Sequence, residues 1–81
     1  MEYTETKHHN GTRYIVRAEQ IAVGLIRAQV FYKDIDSYPV KEIEYQHRNL
    51  VTCAGAVWAE YKNEIRQAIN THQFKKSNHG V

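Results

Sequence analysis

The chain is poor in residues that staple, cleave or span. One cysteine, Cys53, excludes an intrachain disulfide, and a lone thiol suits a reducing compartment. No apolar run reaches the roughly 18 residues of a membrane helix. The opening MEYTETKHHNG carries acids and no apolar stretch of the signal-peptide kind, so a cytoplasmic location is expected. Gly-rich phosphate loops, GxSxG, HExxH and CxxC are all missing. Neither an enzyme nor a cofactor is therefore expected. The excess of positive charge is only +2, too small to argue for nucleic acid. Adjacent His8 and His9 point in different directions, and no further Cys or His falls at ligand spacing, so no metal site is expected.

What is present is ordinary globular composition, 42% hydrophobic and 25% charged, in 81 residues. That length allows a single domain over 1–81 with a thin core, burying roughly 60–65% of the unfolded surface. Small chains of this kind commonly add a disulfide, a metal or a partner copy.

Val40, Ile43, His47, Leu50, Ala54, Val57, Tyr61, Ile65 and Ala68 recur at three- and four-residue steps. This spacing predicts one long helix over 40–71, entered through Pro39, with a frayed polar tail over 72–81. Tyr14, Ala18, Ile21, Leu25, Ala28, Tyr32 and Ile35 repeat the pattern and predict a helix over 18–35. The rival reading of 20–32 is a strand, since Ile21, Val23 and Leu25 alternate, but Arg27 and Gln29 break that alternation. Asn10-Gly11, followed by Tyr14-Ile15-Val16, is a type I′ hairpin signal, so 1–17 reads as a short ribbon or extended arm. The expected fold is mainly α, an antiparallel helical hairpin with a β-ribbon or arm at its start. On that fold Val23, Ile26, Val30 and Trp58 exceed what two helices can cover. They are assigned to a homo-oligomer interface, with the chain itself as partner.

Aromatic residues sit beside basic ones at Arg13-Tyr14, Phe31-Tyr32-Lys33, Tyr61-Lys62 and Phe74-Lys75-Lys76. A ring that stacks on a base, with a cation at the phosphate, is a common way to hold nucleotides. The alternative is that the tyrosines simply fill the seam between helices.

The run RNLVTCAGAVWAEYK, through Arg48, Leu50 and Ala56-Val57-Trp58-Ala59, resembles the second helix of the phage anti-CBASS sponge proteins. The resemblance implies a helical hairpin that assembles into hexamers and sequesters cyclic oligonucleotide signals without cleaving them. It implies an anti-defence role in the cytoplasm of a phage-infected host cell. It also implies an aromatic residue stacked on a base and basic residues at phosphates, roles that fall on Tyr14, Arg13, Arg17 and Arg48. A second reading is a protein-binding inhibitor or adaptor of the anti-CRISPR kind. It would reach a host protein through an exposed apolar stripe or the acidic stretch 34–44.

Overall fold

The computed structural model describes the backbone of residues 1–35 and 37–79, and side chains through 68. Asn10 (φ 51°) and Gly11 (φ 78°) both take the left-handed region, as a two-residue type I′ turn requires. This turn joins β1 (Glu2–His9) to β2 (Thr12–Ala22). A second two-residue turn, Val23-Gly24, places Gly24 at φ 72° and leads into β3 (Leu25–Tyr32). A six-residue connection then leads to β4 (Pro39–Gln46), where the Asp34 carbonyl accepts bonds from the Ser37 amide (3.2 Å) and hydroxyl (2.6 Å). The four strands form one antiparallel sheet in the order β1-β2-β3-β4.

One helix follows, α1 (Leu50–His79). Asn49 caps it, its side-chain oxygen accepting the Thr52 amide at 3.0 Å and its carbonyl the Cys53 amide at 3.2 Å. The helix lies across one face of the sheet.

Register assigns each side chain to a face. Tyr14 opposes Tyr32, Val16 opposes Val30, and Ala18 opposes Ala28, which in turn opposes Ile43. These residues, with Ile26, meet Cys53, Ala54, Val57 and Trp58 of α1 in a single buried cluster flanked by Tyr3, Ile43, Tyr45, Leu50, Tyr61 and Ile65. Ala18, Ala28 and Ala54 are all fully buried, small residues suited to close approach of helix and sheet. The reverse face carries Glu2, Thr4, Arg17, Glu19, Arg27, Gln29, Glu42 and Glu44, with Ile15 and the buried Phe31 (4% exposed) nearer the Asn10-Gly11 end, and α1 does not lie over it.

Both edge strands turn charges toward the helix side. Lys7 pairs with Glu5 on β1 at 3.2 Å, and Lys41 of β4 reaches Glu64 of α1. Inward charges of this kind discourage one sheet edge from pairing with another.

The helical hairpin is thus overturned: the protein is a four-stranded meander with one covering helix. The stretch 18–35 is the end of β2, a turn and β3, while 40–71 divides into β4 and α1. Expected fraying from 72 gives way to helix through His79; the last two residues lie outside the described set. The surplus apolar face has a simple account. Ile26 (1% exposed), Val30 (0%) and Trp58 (7%) belong to the core of one chain, and Val23 is exposed at a turn tip. Three of the four side chains that asked for a partner copy are covered by the chain's own helix and sheet, and Val23 is not.

Candidate functional site

At the end of the sheet that carries the Asn10-Gly11 turn, aromatic residues gather under α1. Tyr14 is the hub, with ring centroids 5.7 Å from Tyr32, 5.4 Å from Trp58 and 5.4 Å from Tyr61. Trp58 also meets Tyr61 at 6.3 Å and the His9 ring edge-on at 6.4 Å. These separations suit tilted and edge-to-face ring packing.

Two lysines border the cluster. Lys33 Nζ lies 5.1 Å from the Tyr32 ring centroid, and Lys62 Nζ lies 5.8 Å from that of Trp58. Both are within cation–π range. Lys33 takes a left-handed conformation (φ 64°), uncommon for a side chain with a Cβ. Its backbone is tied at both ends: its amide donates to the Arg13 carbonyl at 3.1 Å, and its own carbonyl accepts from Arg13 Nη2 at 3.1 Å.

Access separates the rings. Tyr14 and Trp58 are buried, Tyr61 and His9 are half-buried, and Tyr32, 45% exposed, is the ring most open to an external group. Burial, with a hydrogen bond that the Tyr61 hydroxyl donates to Tyr14 as the next cause, pushes the Tyr61 phenol up to about 12. Burial likewise raises Tyr45, whose hydroxyl is enclosed without a hydrogen-bond partner, and the Cys53 thiol.

The residues expected to act together are divided by this geometry. Tyr14 faces the helix, while Arg13 and Arg17, one and three positions away on the same strand, project from the reverse face. Arg17 there binds Glu2 at 2.9 Å and also Glu19. Arg48 is exposed in the β4–α1 connection, at the opposite end of the sheet, where the His47 amide donates to the Gly24 carbonyl at 3.1 Å. What does converge is two of the four aromatic–basic pairs visible in the sequence, Tyr32-Lys33 and Tyr61-Lys62, around the ring of Tyr14. The available signal was the adjacency of Tyr32 to Lys33 and of Tyr61 to Lys62. Which ring stays accessible depends on strand register, and that is not visible in a list of pairs.

Among the described residues no three His, Cys, Asp or Glu side chains gather as metal ligands, and no helix is long and apolar enough to cross a membrane. Comparison with family models, curated proteins and solved structures finds no match.

Proposed function

We propose that the protein is a binding module for a nucleotide-class ligand, a flat base bearing phosphate, with cyclic nucleotide signals as the first candidates and sequestration as the outcome. The observation that supports it is the convergence of Tyr14, Tyr32, Trp58 and Tyr61 with Lys33 and Lys62 at one end of the sheet. In this reading the exposed Tyr32 ring stacks on a base while Lys33 and Lys62 meet phosphate. Tyr14 and Trp58 hold Tyr32 and Tyr61 in place from behind. A stack and two cations give affinity without bond-making, and binding alone is enough to withdraw a signal from solution.

Calorimetry with a panel of cyclic di- and trinucleotides tests the reading. Stacking contributes about 1–3 kcal/mol per base, so Tyr32→Ala should weaken binding roughly 5- to 150-fold. Lys33→Glu should weaken it further, and Arg48→Ala, at the far end, should leave it unchanged. Tyr14→Ala should instead lower fold stability. If nothing in the panel binds more tightly than about 100 μM, the protein-partner reading replaces this one.

A further inference from the structure

Helix α1 outruns the sheet it covers. Strands of eight residues reach about 27 Å, whereas the molecule is 54 Å long. Ile65 is the last described side chain packed on the core, yet α1 continues from 66 to 79, about 21 Å of further helix. A helical stretch of that length is marginal in water unless something packs on it. Its composition indicates what that is: after Glu64 there is no acid, and Arg66, Lys75 and Lys76 are joined by His72 and His79.

The uncovered face of the sheet is its complement. Two neighbouring rows cross it, Glu2–Glu19–Arg27–Glu44 and Thr4–Arg17–Gln29–Glu42. In these two rows four glutamates stand against two arginines, while the third arginine of the face, Arg13, lies toward the Asn10-Gly11 end and is turned to the Lys33 carbonyl. Arg17 is already engaged by Glu2 and Glu19, and Arg27 lies 3.8 Å from both Glu42 and Glu44, so two negative charges remain in surplus. All four carboxylates are 39–47% exposed and open to a cationic partner. Because α1 lies on the other side of the sheet and leaves past its end, its extension cannot return to the chain's own open face. Another copy's extension can.

We infer that the protein forms a dimer in which the basic α1 extension (66–79) of each copy lies on the acidic open sheet face of the other. The exchange is reciprocal, so it closes at two copies and leaves neither extension unpaired. Each extension gains a surface that keeps it helical, and each sheet face loses its surplus charge. The contact lies on the reverse side of the sheet from Tyr32 and needs no nucleotide.

Light scattering on the full chain, at micromolar concentration with no nucleotide added, tests this. The expected mass at low salt is 2 × 9.5 = 19 kDa, falling toward 9.5 kDa as salt screens the contact. Lys75→Glu with Lys76→Glu, and separately Glu42→Lys with Glu44→Lys, should each give a monomer. An equimolar mixture of the two variants makes both contacts complementary again and should return to 19 kDa. Hydrogen exchange adds a readout that does not depend on the sheet variant folding: amides of 66–79 should be protected in the wild type and unprotected in the Lys75/Lys76 variant. A wild-type monomer, a dimer indifferent to either reversal, monomeric variants that fail to pair on mixing, or protection requiring a co-purified nucleic acid or foreign protein would each overturn the inference. Failure here leaves the nucleotide titration untouched, and the reverse also holds.

Discussion

Gly55 sits inside α1, six residues after the Asn49 cap, with no positive φ to justify a glycine. A Cβ built there meets nothing within 4 Å, so replacement by alanine adds a methyl group to open space. Overpacking therefore contributes no cost, and what remains is the intrinsic preference for alanine in a helix interior, about 0.8–1.0 kcal/mol. In a domain of this size, 1 kcal/mol moves the melting temperature by about 4–8 °C. Gly55→Ala should raise the midpoint of a reversible far-UV circular dichroism melt by that amount. Gly24→Ala is the matched control, because the same change at φ 72° forces a Cβ into the left-handed region, at a cost of about 1–2 kcal/mol. Opposite signs are thus expected from one chemical substitution at two sites. A lower midpoint for Gly55→Ala would refute the reasoning and show that another body approaches the helix closely at that point.

Other perturbations follow from burial. Ile26→Ala removes a side chain that is 1% exposed and should cost about 2–5 kcal/mol. Val23→Ala, at a site 91% exposed, should stay within about 0.5 kcal/mol in the same denaturant titration. Ala28→Leu overfills the closely packed point beneath α1 and should lose about 1–3 kcal/mol, read from the urea midpoint. Tyr61 gives a pH dependence: its folded phenol is raised from 10 to about 12, so its contribution is complete below pH 10 and is lost as pH rises toward 12. Alkaline unfolding should therefore fall in that window. Tyr61→Phe should abolish the latest-titrating tyrosinate signal in the ultraviolet spectrum, and an unchanged titration would contradict the assignment.

The sequence declared its first turn and concealed its second. Asn10-Gly11 demands positive φ at both positions, and strands on either side follow from it at once. Val23-Gly24 carries a weaker signal, and around it the apolar residues Ile21, Val23 and Leu25 fall at odd positions, out of step with the even-numbered inward set on either side. On β2 the inward set is Tyr14, Val16 and Ala18; on β3 it is Ile26, Ala28, Val30 and Tyr32. Taken as one segment, 14–35 therefore shows no steady period of two, and a three-four spacing emerges by coincidence. Arg27 and Gln29, which look like interruptions of a strand, are its outward residues. In β4 the inward Lys41 masks the pattern again, because a sheet edge tolerates a lysine that a central strand would exclude. Only from Leu50 onward does the helical stripe describe a helix. The aromatic site was visible as chemistry and not as geometry: the sequence lists the rings and lysines, but the faces they occupy are set by a register that the concealed turn controls.

The meander also governs how the chain finds its fold. Every strand pairs with its neighbour in sequence, from His9 with Thr12 out to Glu2 with Glu19 in the first hairpin, so each closure is local. The long reach belongs to the helix, where Tyr61 must travel back to Tyr14. Loop-closure entropy then favours one order: the hairpins at the Asn10-Gly11 and Val23-Gly24 turns are expected to close first, and α1 to dock onto a sheet already in register. Lesions at the two turns accordingly slow the refolding limb of a chevron, while lesions in Ala54 or Val57 mainly accelerate unfolding. Persistence of the folded state is therefore decided by the helix, and the speed of reaching it by two glycines.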